Sequence, residues 1–198
     1  MQPRWLKWGA AAGIALLLAA GCVTVKVSLL EERQPLKEEV ISGFGRDKVL
    51  LMDISGLIVE SPRRGLLSLL KSTIGPDRIK EELEKASKDS HIKAVVLRIN
   101  SPGGTVGGSD VILHELKAFK EEKKLPVVAC FTGLATSGAY YVAQAADTIV
   151  AQPTCITGSI GVIAMKLNIK GLMGKVGVDE ETVKSGRWKD FWAPFRPA

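Results

Sequence analysis

Ser137 lies where a serine nucleophile would be expected, between a predicted strand and a predicted helix. The sequence reads GLATSGAYY over Gly133–Tyr141, shortly after the apolar run Pro126–Phe131. The N-terminus of a helix offers unpaired N–H groups and positive potential to a developing oxyanion. The competing interpretation is that Ser137 only caps the helix, a common role for serine. The segment is not a GxSxG elbow, because alanines replace both glycines (Ala135 and Ala139).

A second loop that could do chemistry runs over Asn100–Gly108 and begins with Asn-Ser-Pro-Gly-Gly. It follows the apolar run Ile92–Ile99. Glycines at such a position let backbone N–H groups approach a ligand without a Cβ in the way. An oxyanion hole requires such donors. A phosphate-binding loop is excluded, because there is no GxGxxG and no Gly-Lys-Ser/Thr. A plain turn remains the alternative.

A serine nucleophile needs a base, and neither histidine of the chain is well placed to serve. His91 precedes a strand, at the end opposite the two loops. His114 lies four residues after Asp110 on a predicted helix, a spacing typical of a surface contact. A lysine can replace histidine when burial lowers its pKa. Lys184 and Lys189, on either side of a Ser-Gly turn, are therefore candidates, although both could be ordinary surface lysines.

The elements that position these residues alternate between strands and helices. Apolar runs predict strands at Val49–Ile54, Ile92–Ile99, Pro126–Phe131, Thr148–Ala151 and Ile160–Ala164. Helices are predicted from Pro76, with Ile79, Leu83 and Ala86 buried; from Ser109–Asp110, with Ile112, Leu116 and Phe119 buried; over Ser137–Ala146; and around Leu172. This order predicts an α/β fold with a mainly parallel sheet. Both loops then lie at the carboxyl ends of strands, where sites form in such sheets.

The N-terminal segment, residues 1–30, is predicted to target the chain to a membrane. Arg4 and Lys7 precede the uncharged run Gly9–Gly21, which ends at Cys22. Either Cys22 is lipidated after cleavage, or the run continues past it as an uncleaved anchor. Basic residues before the run predict an exported body. Residues 31–47 read as a linker, and residues 48–198 as the catalytic domain.

Composition and charge limit the classes of partner and cofactor that the protein is expected to bind. The chain is 46% hydrophobic and 24% charged, an ordinary globular balance, with a net charge of +6. The basic residues form no stripe with aromatic side chains between them, so we expect no nucleic-acid partner. No HExxH or CxxC motif predicts a metal site. Cys130 and Cys155 are expected to be buried free thiols, although a disulfide between them remains possible in an exported protein.

Four segments together resemble the signal peptide peptidase family, the protease IV-like serine peptidases, and they occur in that family's order. The matching segments are Asn100–Gly104, Ala135–Tyr141, Thr157–Val162 and Lys184–Asp190. The resemblance covers roughly Lys48 to Asp190. It implies a Clp/crotonase-like spiral of ββα units, preceded by the N-terminal membrane-targeting helix.

The resemblance also implies a Ser/Lys dyad and no cofactor. The nucleophile is Ser137, and the base is Lys189, the lysine that precedes aspartate, rather than Lys184. Gly104 and Gly138 would supply the oxyanion N–H groups, and Ser159 would orient the lysine amine. Members of the family assemble as homo-oligomers, so that Lys189 could act on a neighbour's serine.

The implied activity is degradation of cleaved signal peptides and other apolar peptides by a membrane-associated serine endopeptidase. The implied location is the bacterial inner membrane, with the catalytic domain on the exported, periplasmic side. Family members continue with helical sequence beyond the position of Ala198, so the C-terminal part of the domain is expected to be missing. The alternative function is therefore a truncated, inactive peptide-binding lipoprotein. A membrane peptidase for stomatin-like substrates and a crotonase-type acyl-CoA enzyme are further alternatives.

Overall fold

A computed structural model of the chain describes residues 36–61 and 73–196. The predicted membrane-targeting segment, with Cys22, lies outside these residues. Among the described residues, no helix is both long and apolar enough to cross a bilayer. A compact unit begins at Ser42, and all the elements below belong to it.

Seven strands and four helices make up this described part of the unit. The strands are β1 (Lys48–Ser55), β2 (Leu57–Ile58), β3 (Thr73–Ile74), β4 (Ile92–Ser101), β5 (Val127–Thr136), β6 (Thr148–Ala151) and β7 (Ile156–Gly158). The helices are α1 (Pro76–Ser87), α2 (Val106–Lys123), α3 (Gly138–Ala143) and α4 (Lys170–Val176).

The main sheet is parallel throughout, in the order β1-β4-β5-β6, with β7 paired to the end of β5. A second sheet pairs β2 with β3, and Gly104 joins it through a bridge to Ile58. Along the chain, β1, β2 and β3 precede α1, and β4 with the bridging residue precedes α2. The predicted α/β class with a mainly parallel sheet is confirmed.

One face of the main sheet is buried beneath the helices, and residues of β1, β4 and β5 supply its part of the core. Ile54, Leu97 and Phe131 are fully buried on adjacent strands. Burying a side chain of this kind contributes about 1.5–3 kcal/mol. The helix residues predicted to be buried are buried: Ile79, Leu83 and Ala86 on α1, and Ile112, Leu116 and Phe119 on α2. This packing fixes the carboxyl ends of β4 and β5, after which the two loops begin.

Helix α2 begins three residues before the predicted start at Ser109. Thr105 is its N-cap, and the Thr105 side chain accepts a hydrogen bond from the N–H of Gly108. Ser109 is buried within the first turns, where its hydroxyl donates to the Thr105 carbonyl. The prediction of the helix start was wrong because two glycines before Ser109 suggested a loop. The stabilisation by the Thr105 cap offsets their low helix propensity.

The strand predicted at Ile160–Ala164 is wrong. The structure has a strand at Ile156–Gly158 instead, and residues 160–164 form neither helix nor strand. Ile160, Val162 and Ile163 are 75–83% exposed, so their apolar character does not reflect burial in the sheet. The short helix at Leu172 is present, whereas the helix predicted over Ser137–Ala146 is shorter, at Gly138–Ala143.

Candidate active site

Ser137 occupies a strained turn between β5 and α3. Its backbone lies at φ 52° and ψ −122°, a conformation that residues with a Cβ rarely adopt. Such strain costs on the order of 1–3 kcal/mol and persists only where the surroundings enforce it. Two backbone hydrogen bonds enforce it here: the Ser137 N–H donates to the Gly158 carbonyl at 2.8 Å, and the Tyr141 N–H donates to the Ser137 carbonyl at 3.0 Å.

The hydroxyl of Ser137 does not cap helix α3. The side chain makes no capping hydrogen bond, and the residue is half-buried. The helix-cap interpretation of Ser137 is therefore wrong for this residue. The turn holds the hydroxyl at the N-terminus of α3 without committing it to the backbone, which is what a nucleophile requires.

The loop after β4 packs directly against this turn. Gly103 has φ 88°, and a Cβ built on it would lie 2.6 Å from the Gly138 nitrogen and 3.0 Å from the Ser137 Cβ. Only glycine fits, since it tolerates both the positive φ and the close approach. A Cβ on Gly138 would likewise collide with the Ser109 hydroxyl, and it would lie 3.4 Å from the Gly104 nitrogen. Gly103, Gly104, Ser137 and Gly138 therefore form one cluster.

The N–H groups of Gly104 and Gly138 are available in this cluster. In the parallel bridge, Ile58 donates to the Gly103 carbonyl and accepts from the Thr105 N–H, so the bridge leaves the Gly104 N–H unused. Gly138 is the first residue of α3, where N–H groups have no partner within the helix. Within residues 36–61 and 73–196, neither N–H donates a hydrogen bond. Two unpaired donors beside a serine hydroxyl can bind an oxyanion.

Ser159 adjoins Gly158, the residue that is hydrogen-bonded to Ser137. It follows Gly158, whose carbonyl accepts from Ser137, and it also has a positive φ of 51°. Its side chain is exposed and makes no hydrogen bond within the described part of the chain. The structure thus brings Ser159 near the nucleophile without giving it a partner.

Lys189 is not brought into contact with Ser137. Its side chain is exposed, and among the described residues its amine makes no hydrogen bond or ion pair. Lys184, the other candidate, is engaged elsewhere: its amine lies 2.5 Å from an Asp190 carboxylate oxygen and 3.3 Å from the Arg187 carbonyl. The hydrogen bond from Lys184, supported by the Arg196 guanidinium, lowers the pKa of Asp190 below its ordinary value.

The segment that contains Lys189 displays many apolar side chains to solvent. Those more than 60% exposed in residues 160–189 are Ile160, Val162, Ile163, Met165, Leu167, Leu172, Val176, Val183 and Trp188. Apolar side chains exposed in this number within one segment are typical of a region that binds a partner.

His91 lies at the amino end of β4, opposite the two loops, as the sequence predicted, and His114 is exposed on α2. His91 contacts Asp89 at the amino end of β4, with 3.2 Å between the ring nitrogen Nδ1 and the carboxylate. The predicted contact between Asp110 and His114 is not among the described interactions. Asp110 instead accepts a 2.8 Å hydrogen bond from the Tyr141 hydroxyl, and this bond raises the pKa of Tyr141.

Sequence reasoning missed two residues that support the site, Ser101 and Thr136. Both side chains are almost completely buried, and both hydroxyls bond to the backbone of the Pro102–Gly103 peptide. The sequence carried no clear signal for them, because the predicted strands ended at Ile99 and Phe131, whereas β4 and β5 continue to Ser101 and Thr136. A hydroxyl at the end of a buried strand needs a partner, and the nearest free backbone belongs to the loop.

The chain is similar in sequence to a family of peptidases. The model of peptidase family S49 matches residues 118–198. The chloroplastic serine protease SPPA of Arabidopsis thaliana is 36% identical over 74% of this chain. Protease 4 of Salmonella typhi is 38% identical over 59% of it, and protease 4 of Haemophilus influenzae is 32% identical over 70%. The chain spans about a fifth of the length of these relatives (21%, 19% and 22%).

Solved structures show a partial likeness. The 1510-N membrane-bound stomatin-specific protease superposes with a TM-score of 0.48 at 17% identity, over 68% of this chain and 66% of that one. A ClpP1 from Listeria monocytogenes gives a TM-score of 0.36 at 22% identity, over 50% of this chain and 46% of that one. On the family model and the protease 4 relatives, the chain belongs to peptidase family S49, the signal peptide peptidase family.

Proposed function

We propose that the protein is a membrane-associated serine endopeptidase that uses Ser137 as nucleophile and Lys189 as base. The observation that supports it best is the Ser137 turn, in which a serine whose hydroxyl does not cap the helix is clustered with the unpaired N–H groups of Gly104 and Gly138. Peptidase activity agrees with the family assignment. Strain retained at a serine beside two free backbone donors is expected of an acyl-transfer site and has no evident use in a plain turn.

In the proposed mechanism, the neutral amine of Lys189 removes the proton of the Ser137 hydroxyl as its oxygen attacks a peptide carbonyl. The N–H groups of Gly104 and Gly138 stabilise the negative charge on the carbonyl oxygen. The protonated lysine then donates its proton to the leaving amine, and an acyl-enzyme forms on Ser137. Water, deprotonated by Lys189, hydrolyses this ester and restores the hydroxyl. Ser159 accepts or donates a hydrogen bond to hold the amine in place.

A base must be shielded from water, and the described residues of a single chain leave Lys189 exposed. A lysine serves as a base only where burial disfavours its charged form, and the Lys189 side chain is exposed. The apolar side chains of residues 160–189 are exposed beside it. We propose that copies of the protein associate through this segment, and that the homo-oligomer buries Lys189 beside a serine of the same or a neighbouring chain.

The proposed substrates are cleaved signal peptides and other apolar peptides, met at the membrane. The N-terminal sequence supports membrane attachment, by an anchor or by lipid on Cys22, with the catalytic domain on the exported side of a bacterial inner membrane. Substrates released within or beside the bilayer would then be close to the site.

Hydrolysis of a synthetic apolar signal-peptide sequence, in detergent, tests the proposal. We expect the protein to cleave it, and both Ser137→Ala and Lys189→Ala to lose activity by at least about 10³-fold. Lys170→Ala, which removes an exposed lysine from the same region, should retain activity. Cleavage that survives in Ser137→Ala would refute the proposal. Peptide binding without cleavage by the parent protein would support the alternative of an inactive peptide-binding lipoprotein.

A further inference from the structure

The Gly104 N–H can act in the oxyanion hole only if the preceding turn keeps it pointed toward Ser137. The peptide unit between Gly103 and Gly104 is planar and trans, so its C=O and N–H point in opposite directions. Its C=O accepts from the Ile58 N–H at 2.8 Å, which directs the Gly104 N–H away from β2. The remaining freedom lies in the two dihedral angles of Gly103, a residue without steric restraint of its own.

That freedom is removed by two side-chain hydroxyls that hold the preceding peptide unit, Pro102–Gly103. The Ser101 hydroxyl oxygen accepts from the Gly103 N–H at 3.0 Å. The Thr136 hydroxyl donates to the Pro102 carbonyl at 3.1 Å. Ser101 is 0% exposed and Thr136 is 9% exposed, so water competes poorly for either bond. With both peptide units fixed, the conformation of Gly103 between them is fixed as well.

The sheet cannot perform this role, because its register breaks at this point. Strands β4 and β5 pair regularly up to Ile99 and Phe131, and the next pair is Ser101 with Ala135. Only one residue of β4 but three of β5 lie between these pairs. Side chains fill the gap: the Asn100 side-chain oxygen Oδ1 accepts a hydrogen bond from the Leu134 N–H at 3.1 Å. The hydroxyls of Ser101 and Thr136 continue this pattern into the loop.

We propose that Thr136 and Ser101 are positioning residues, whose hydroxyls lock the Pro102–Gly103 peptide and thereby aim the Gly104 N–H at the oxyanion. This role rests on the proposed peptidase function. Because Thr136 directly precedes the nucleophile, its bond also ties the Ser137 turn to the oxyanion loop. In this role neither hydroxyl contacts the substrate. Each acts through the backbone N–H of Gly104, which binds the oxyanion.

The test uses the intact protein with isosteric changes. Thr136→Val and Ser101→Ala remove the hydroxyls, whereas Thr136→Ser keeps one. Thr132→Val is the matched control, because the Thr132 hydroxyl donates to the Ile99 carbonyl at 3.3 Å across the same two strands, outside the loop. Hydrogen–deuterium exchange of Gly103–Thr105, the melting temperature, and kcat and KM for the apolar peptide are measured for each.

We expect Thr136→Val and Ser101→Ala to exchange the loop amides about 3- to 10-fold faster, the effect of one lost hydrogen bond. Their kcat should fall about 10- to 100-fold with KM unchanged, because the oxyanion forms only in the transition state. Thr136→Ser should recover most of kcat. Thr132→Val should keep parental kcat and loop exchange, even if its melting temperature falls as far as that of Thr136→Val.

The positioning role is overturned by loop exchange that is unchanged in Thr136→Val, or by faster exchange with kcat within twofold of the parent value. A fall in kcat of equal size in Thr132→Val also overturns it, since the effect would then follow from general loss of strand packing. A parent protein that does not cleave the peptide overturns the proposed function itself. The positioning role in catalysis then falls with it, even where exchange shows that the hydroxyls hold the loop.

Discussion

Backbone conformation at single residues carries most of the case for an active site. Ser137 is one of three non-glycine residues with positive φ among those described, and Ser159 is another. The other is Lys124, which ends α2 in an ordinary left-handed cap. Ser137 and Ser159, linked through the hydrogen bond from the Ser137 N–H to the Gly158 carbonyl, both have unfavourable backbone conformations. Such conformations cost stability and cluster at functional sites.

Replacing Ser137 with glycine should therefore stabilise the protein. Glycine relieves the strain of φ 52° but adds backbone entropy to the unfolded chain, so we expect a net gain of about 1 kcal/mol. The melting temperature should rise by roughly 2–4 °C relative to Ser137→Ala, which keeps the strain. Calorimetry on the two inactive variants measures the difference. Equal melting temperatures would mean that the turn is not strained.

Gly138 offers a second test at the residue scale. A Cβ at this position collides with the Ser109 hydroxyl, so Gly138→Ala should lose about 1–3 kcal/mol from overpacking. It should also displace the oxyanion donor and lower peptide hydrolysis.

Adding Ser109→Ala removes the colliding oxygen and should recover at least half of the lost melting temperature, with Ser109→Ala alone as the control. A double variant as unstable as Gly138→Ala would show that the two residues do not meet.

At the scale of elements, the sequence predicted the strands and the buried helix faces well. β1, β4, β5 and β6 all lie where apolar runs predicted them. In β1, β4 and β5 the signal is clear because these parallel strands supply the core. Boundaries were less predictable. The extension of β5 to Thr136 depends on pairing with β7 across a break in register, which is a tertiary event. The exposed apolar run after β7 mimics a strand because apolar composition alone does not show whether the side chains are buried.

The amino ends of β1 and β4 are joined by Asp89, which gives a prediction for pH. Lys48 donates to its carboxylate at 2.9 Å, and the His91 N–H donates at 2.9 Å. The pKa of Asp89 is lowered to about 2 from an ordinary value of 3.8, and the hydrogen bond from Lys48 is the main cause. A folded-state pKa below the unfolded value means that this stabilisation is complete above pH 3.8 and is lost as the pH falls toward 2.

Melting temperatures of the parent protein and Asp89→Asn across pH 2–6 check this direction. The parent should be the more stable above about pH 4, and the two curves should converge as the pH approaches 2. Parallel curves over the whole range would show that Asp89 does not contribute through its charge.

For the molecule as a whole, the site is divided between a rigid part and an exposed part. The proposed nucleophile and the two proposed oxyanion donors are held by β4, β5, α2 and α3, whereas Lys189 lies on a segment whose apolar side chains face solvent. The resemblance of four motifs predicted all of these residues. Neither motif nor spacing could predict how far Lys189 lies from Ser137, because that distance depends on contacts that the sequence does not specify.

If a neighbouring chain supplies the base, two inactive variants should complement each other. Ser137→Ala retains Lys189, and Lys189→Ala retains Ser137, so a mixed oligomer contains some complete pairs. We expect the mixture, after dissociation and reassembly, to regain peptide hydrolysis that neither variant shows alone. Sites completed within one chain would leave the mixture as inactive as its components.

The most direct measurement of the central claim is identification of the residue that reacts with a fluorophosphonate probe. Such a probe modifies a serine only where a base and an oxyanion hole activate it. The account predicts that mass spectrometry of the labelled protein finds the adduct on Ser137, and that Lys189→Ala is labelled at least about 10²-fold more slowly. A protein that remains unlabelled at Ser137, or one labelled equally fast without Lys189, would contradict the account.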